Sequence, residues 1–378
     1  MRAVVVDTYY PAFLAEHYRA RPGLEHRPYD AQLRSLLERS FGTSDAYSRG
    51  LRAAGHEAVD LIVNCLPLQR RWASEHSAGR FAGALAARAP QRLRDRASGR
   101  ALRRILLAQL ANLDPHVVYF QNLSVLPRRD LDALRRDGRL VVGQIASPAP
   151  RAEQLGRFDL ILTSFPHFVD RFRGLGVDAA YFPIAFDAAV LDRLRAAGVD
   201  PRPEAARPHD VVFVGGVHPG VHGRGTALLE EACERLEVDI WGYGADALPP
   251  GSPIRRRYHG EAWGLDMYAV LSRAKMCLNR HIDAAEGHAN NMRLYEATGV
   301  GTLLITDAKR NLAELFEPHE EVVTYSSEDE LVEKIRHYLA NDAERSKIAR
   351  AGQERTLRDH TYAHRMRELV SILERFLP

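Results

Sequence analysis

The sequence predicts an α/β protein made of two doubly wound, mostly parallel sheets. Three observations predict it. Short apolar runs alternate with stretches of helical periodicity. That alternation stops at a proline-bearing stretch and then starts afresh. Several of the apolar runs end in glycines or polar residues, as strands do where a ligand approaches their carboxyl ends.

In the first half, strands are expected at 2–8, 58–64, 117–121, 140–146, 160–164 and 180–184. Leu33, Leu36 and Leu37, and later Leu102, Ile105, Leu106, Ala108 and Gln109, mark helices between them. Pro201, Pro203 and Pro208 disfavour a continued helix, so 187–209 reads as a linker. The second series has strands at 210–214, 238–241, 275–279, 302–306 and 322–325. One helix between them shows Leu228, Leu229, Ala232 and Leu236 on one side, and another is expected at 265–273. Leu331, Ile335, Tyr338 and Leu339 make an amphipathic helix, as do Met366, Leu369, Val370, Leu373, Phe376 and Leu377. The expected organisation is a domain at 1–186, the linker, a second domain at 210–357 and a closing helix at 358–378.

A chain of 378 residues suits two domains. Hydrophobic residues at 46% and charged residues at 27% are those of a globular protein with a sizeable core. No apolar run approaches the roughly 20 residues needed to span a bilayer. Met1 to Asp7 reads as a first strand rather than a signal peptide, which points to the cytoplasm. The net charge of +3, from 52 basic and 49 acidic residues, is no nucleic-acid signature. Arginines at 80, 88, 92, 94, 96, 100, 103 and 104 are opposed only by Asp95. They read either as a solvated helix face or as a basic surface for the inner face of a membrane or an anionic acceptor. Cys65, Cys233 and Cys277 form neither a zinc pattern nor a disulfide framework and read as free thiols. No aspartate-x-aspartate cluster stands at a strand end, so no metal is expected.

The most informative stretch runs from 289 to 307. Arg293 and Glu296, three residues apart, share a helix face. A Gly-Val-Gly turn and an apolar strand follow, ending at Thr306-Asp307. Such a carboxylate accepts from both hydroxyls of a ribose. Arg293 either contacts phosphate or pairs with Glu296 or Glu286. Asn290 and Asn291 begin the helix, where free N–H groups suit phosphate. Earlier, a strand ends in Gly215-Gly216, followed by His218 and by a glycine-rich run carrying Arg224. Tyr243, between Gly242 and Gly244, either stacks on a base or packs on its own domain. Lys309, one of four lysines, and Asn311 follow a strand end and are candidates for diphosphate or sugar. His281 follows the strand ending at Asn279. In the first half, strand ends offer Asp7-Thr8-Tyr9-Tyr10, Gln121-Asn122 and Ser147-Pro148, and the segment from Tyr10 to Tyr47 contains His17. No general base stands out there. His281, His17 and Asp7 are the residues to examine for catalysis.

From about Asp210 to about Arg367 the chain resembles the donor-binding half of GT-B glycosyltransferases, in particular the CgeB-like group of glycosyl transferases group 1. The resemblance implies two Rossmann-like domains facing a central cleft, with the closing helix crossing back to the first. It implies that 1–186 binds the acceptor and 210–357 the nucleotide-sugar donor. It makes Glu296 the ribose ligand and Arg224 the residue that neutralises the leaving diphosphate. Gly215, Gly216 and His218 become the donor-domain turn, and Tyr243 lies at the base. Many relatives carry a further glutamate, separated from Glu296 by seven residues, where this chain has His288. Asn290 or Asn291 is expected to replace it.

The implied activity is sugar transfer from a nucleoside-diphosphate sugar, UDP-linked by preference. The donor is a co-substrate, and no further cofactor is expected. The reaction is expected to be metal-independent and to retain anomeric configuration. The acceptor is left open among a polysaccharide, a lipid-linked precursor, a protein and a small molecule. A nucleotide-sugar epimerase or hydrolase of the same fold, and a non-catalytic nucleotide-sugar binder, are the alternatives.

Overall fold

In the computed structural model the apolar runs become two parallel sheets. The structure describes residues 1–76, 91–202 and 207–377, with the backbone alone at 91–96 and 221. The first sheet contains β1 (Arg2–Asp7), β2 (Glu57–Ile62), β3 (Val117–Phe120), β4 (Leu140–Ile145), β5 (Leu160–Thr163) and β6 (Ala179–Tyr181). Its order is β2-β1-β3-β4-β5-β6, with every pairing parallel. The second contains β7 (His209–Val214), β8 (Asp239–Trp241), β9 (Ala274–Asn279), β10 (Leu303–Asp307) and β11 (Val323–Tyr325). Its order is β11-β10-β9-β7-β8, again all parallel.

The central strands are covered on both faces, so they read as unbroken apolar runs. Val4, Val5 and Val6 of β1 are buried, as are Met276, Cys277 and Leu278 of β9 and Leu303, Leu304 and Ile305 of β10. All eleven expected strands form. β6 starts at Ala179 and stops at Tyr181, short of the expected 184, before Pro183, which has no N–H to donate to a ladder.

The chain divides into two compact units, Met1–Phe182 with Met366–Pro378, and Pro183–Arg365. The stretch that reads as a linker carries a helix, Ala189–Ala196, with Val190, Leu191 and Leu194 buried. The prolines that suggest a linker all follow this helix, so none interrupts it. The last helix, Tyr362–Leu373, buries Met366, Leu369 and Leu373. Of the arginine-rich segment, Arg80 and Arg88 and the side chains at 92, 94 and 96 lie outside the described residues. Arg103 is committed to a two-pronged ion pair with Asp130.

In each sheet the strand order reverses beside the first strand, between β1 and β3 and between β7 and β9. The carboxyl ends of strands at such a reversal are where this architecture holds ligands.

Candidate functional site

In the second unit, three sequence motifs meet at the carboxyl end of β7. Gly215 donates its N–H to Trp241 O at 3.0 Å, and Val217 donates to Tyr243 O at 2.9 Å. The turns after β7 and β8 therefore lie against each other. Gly242 has φ +149°, and a Cβ there would stand 1.7 Å from Gly215 O. Only glycine fits. A Cβ on Gly216 would meet the His222 ring at 2.4 Å and Tyr243 Cζ at 2.9 Å.

The third motif reaches the same place from the helix Arg293–Gly299. Arg293 Nη2 donates to Val214 O at 3.0 Å, directly before the glycine pair. Its Nη1 lies 2.8 Å from Glu296 Oε2. Of the alternatives open from the sequence, the structure shows the pair with Glu296 rather than a free guanidinium. Glu296 is 5% exposed. Burial raises its pKa, against the Arg293 charge and a hydrogen bond from the Tyr268 hydroxyl.

His218 begins the helix Pro219–Arg235, and its Nδ1 accepts the Gly220 N–H at 3.0 Å. Its Nε2 therefore carries the proton and is the ring's donor. Arg224 is exposed and makes no hydrogen bond or ion pair among the described residues. Arg280 lies over Gly225, where a Cβ would come within 1.9 Å of Nη1, and it pairs with Asp283 at 2.8 Å. Burial and the Arg280 charge lower the pKa of His222, where the helix is kinked. Tyr243 packs on its own unit: its ring stacks on Trp263 at 5.9 Å and 13°.

The asparagines and Lys309 are more occupied than the sequence suggests. Asn291 Nδ2 donates to Asn279 Oδ1 at 2.8 Å and to Arg280 O at 3.1 Å. Asn279 in turn donates to Thr306 at 2.9 Å, so Asn291 ties the helix start to β9 and β10. Asn290 is buried. Asn311 clamps Ala289, accepting from its N–H at 2.7 Å and donating to its carbonyl at 3.2 Å. Lys309, expected to meet diphosphate or sugar, is ion-paired with Asp307 at 2.9 Å. That pairing neutralises its charge locally.

Sequence reasoning misses the role of Asp307. It accepts from His281 Nδ1 at 2.7 Å and from the His281 backbone N–H at 3.1 Å. Burial opposes its charge, but the bonds from His281 and Lys309 outweigh it and hold the carboxyl well below its ordinary range. Tyr268, the partner of Glu296, is missed as well. Its helix position gives no local signal, because its partner lies 28 residues on.

In the first unit, Asp7 ends β1 and accepts the Thr8 N–H at 2.7 Å. Burial pushes its pKa up to about 7. Asn122 donates to the Thr8 hydroxyl at 3.0 Å, and Asn64 brackets the Tyr9 backbone with bonds of 2.9 and 2.7 Å. His17, the third residue considered for catalysis, lies in the core. It is fully buried, with Nε2 at 3.2 Å from Ser35 and Nδ1 at 3.4 Å from Arg21. Burial and two nearby arginines lower its pKa to about 4, so it stays neutral.

Among the described residues, no group of three or more His, Cys, Asp or Glu is gathered as a metal site, and no helix is long and apolar enough to cross a membrane.

Residues 224–371 match the model of a family described as "Glycosyl transferase-like". No curated protein matches the chain. Among solved structures, sucrose-phosphate synthase from Thermosynechococcus elongatus is 12% identical, with a TM-score of 0.58 over 100% of this chain and 99% of that one. A glycosyltransferase from Rickettsia africae is 10% identical, with a TM-score of 0.57 over 98% and 97%. Anabaena HepE, solved in complex with UDP-glucose, is 12% identical, with a TM-score of 0.57 over 99% of each chain. Likenesses at this identity establish the shared fold, GT-B with its two Rossmann-like domains.

Proposed function

We propose that this chain, glycosyl transferase-like over 224–371 and GT-B in fold, is an enzyme that moves a sugar from a nucleoside diphosphate to an acceptor. The observation that carries the proposal is the anchoring of the Arg293–Glu296 pair beneath the β7 glycine turn. It joins a ribose-type carboxylate to a backbone that only glycine permits, at the sheet's reversal point.

Glu296 holds the ribose. Each carboxylate oxygen has two lone pairs, so the bonds from Arg293 and Tyr268 leave room for ribose hydroxyls. Arg224, the exposed cation without a partner among the described residues, faces the diphosphate, and His218 adds a neutral N–H donor. These groups offset the charge that develops as the diphosphate leaves. The reaction is proposed to need no metal. Retention, the outcome the family resemblance implies, needs no protein base. The CgeB-like grouping and peripheral contact with an anionic membrane through residues 80–104 belong to the same reading. UDP is the favoured diphosphate, because Anabaena HepE was solved with UDP and with UDP-glucose.

The test is calorimetric titration with UDP, GDP, dTDP and ADP, on the wild type and on Glu296→Gln. Selective binding of one nucleotide, weakened in the variant, is expected. A wild type that binds none of the four overturns the reading.

A further inference from the structure

One polar atom near the second sheet's reversal point has no partner. His281 is 2% exposed, and its Nε2 is buried without a hydrogen bond among the described residues. The other ring nitrogen is committed to Asp307, itself held by Lys309. A carboxylate acceptor fixes the proton on Nδ1. Nε2 is then a bare lone pair, an acceptor without a donor. Buried acceptors of this kind are rare, and each calls for an explanation.

Its position supplies one. Arg280, the preceding residue, accepts from Asn291 through its carbonyl. His281 therefore stands between the end of β9 and the start of the helix that carries Glu296. β9 neighbours β7 where the strand order reverses. Five residues further on, Glu286 has φ +52°, a strained value for a residue with a side chain. Its loop is tied to the β10 side by Arg310 N–H to Gly287 O at 2.9 Å.

We propose that His281 Nε2 accepts a hydrogen bond from a hydroxyl of the donor's sugar, so that His281 distinguishes a nucleotide sugar from the bare nucleotide. This deepens the donor-site reading above and rests on it. A neutral lone pair suits a hydroxyl and opposes a phosphate or a carboxylate. The donor class is therefore a nucleotide carrying a neutral, hydroxylated sugar. Asp307 and Lys309 act through His281 as positioning residues. Because Nε2 is covered, binding the sugar has to uncover it. The strained turn at Glu286 marks the segment from which that movement is expected.

His281→Asn isolates the atom in question. The asparagine amide keeps a donor for Asp307 and leaves nothing at the position of Nε2. UDP and UDP-glucose are titrated into both proteins, alongside their thermal melts. If the titration of four nucleotides selects another base, the matching diphosphate and its hexose conjugate are used. The expected result is unchanged affinity for UDP and about a tenfold loss for UDP-glucose, the scale of one hydrogen bond. Wild-type affinity for both ligands in the variant overturns the proposal. Equal weakening of both, with a lowered melting temperature, also overturns it by making His281 structural. A wild type that binds UDP but shows no gain from the sugar rejects the proposal while leaving the donor site standing. A wild type that binds neither ligand removes the donor reading itself.

Discussion

The strand ends of the two sheets are built from different chemistry. In the second unit, the acids there meet cations: Glu296 pairs with Arg293, and Asp307, which also accepts from the neutral His281 ring, pairs with Lys309. In the first, Asp7 has no ion pair among the described residues, and Asp60 in β2 is met by the Ser48 hydroxyl, with Oδ1 left without a partner. Burial lifts both of these carboxyls to about 7. Around Asp7 the polar partners are amides and hydroxyls, Asn122 on Thr8 and Gln121 on Thr43. A charge-balanced frame suits a ligand with a diphosphate. An edge of neutral donors and acceptors suits an uncharged, hydroxyl-rich one.

The glycines differ in the same sense. Gly242 is fixed by the Gly215 carbonyl, whereas a Cβ on Gly55 in the first unit, at φ +85°, would have nothing within 4 Å. Gly242→Ala is expected to cost on the order of 4 kcal/mol, because backbone meets backbone. Gly55→Ala meets only its backbone conformation and is expected to cost about 1 kcal/mol. Urea unfolding of the two variants side by side checks the contrast. Equal midpoints would mean that the turns after β7 and β8 are not fixed against each other.

Next in size is Glu296→Ala. It leaves Arg293, whose side chain is 14% exposed, without its counter-charge. A buried charge stripped of its partner costs about 3 kcal/mol. Replacing both residues by methionine is expected to recover most of that loss. Thermal unfolding of the single and double variants decides, and a single variant as stable as wild type would place the pair in solvent.

The unpaired acids of the first unit predict a pH effect of opposite sign to that of a salt bridge. Asp60 titrates near 7 when folded and near 4 when unfolded. Between those values the folded chain holds a proton that the unfolded chain has lost. Stability from this group is therefore greatest below about pH 4, falls as pH rises towards 7, and stays low above it. Asp60→Asn removes that loss. It is expected to match wild type near pH 4 and to exceed it by roughly 4 kcal/mol at pH 8. Denaturation at the two pH values measures this. A variant that is less stable at pH 8 would show that the carboxylate is favourably held.

The strands are legible in the sequence because a parallel sheet covered on both faces turns buried strands into unbroken apolar runs. The helix Ala189–Ala196 is not, because the prolines after it outweigh a short periodic signal. At the site, spacing puts Arg293 and Glu296 on one face, but the sequence leaves open whether the arginine pairs or stays free. The structure pairs it with Glu296 and also ties it to Val214 O, a contact that no spacing rule reaches across 79 residues. Asp307 and Tyr268 are invisible for the same reason. The burial of His17 is hidden too, because its polar, aromatic surroundings in sequence become a core in space.

Lys309 and Arg224 test the remaining part of the contrast. From sequence both read as cations for the diphosphate, one for its rarity and one for its glycine-rich loop. Lys309 already has a carboxylate at 2.9 Å, so little of its field reaches a ligand. Arg224 is exposed without a partner among the described residues. Arg224→Ala should leave folding stability within about 0.5 kcal/mol of wild type, as surface changes do. It should weaken nucleoside diphosphate binding by roughly fivefold at low salt, and the difference should shrink at high ionic strength, where screening removes it. Lys309→Ala should do the reverse: a measurable loss of stability, as Asp307 loses its ion-pair lysine, with a smaller change in affinity. Titrations at two salt concentrations, paired with thermal melts, separate the two. If Lys309→Ala weakens binding more than Arg224→Ala, the lysine leaves Asp307 for the diphosphate, and the frame around β10 is part of the ligand contact rather than its support.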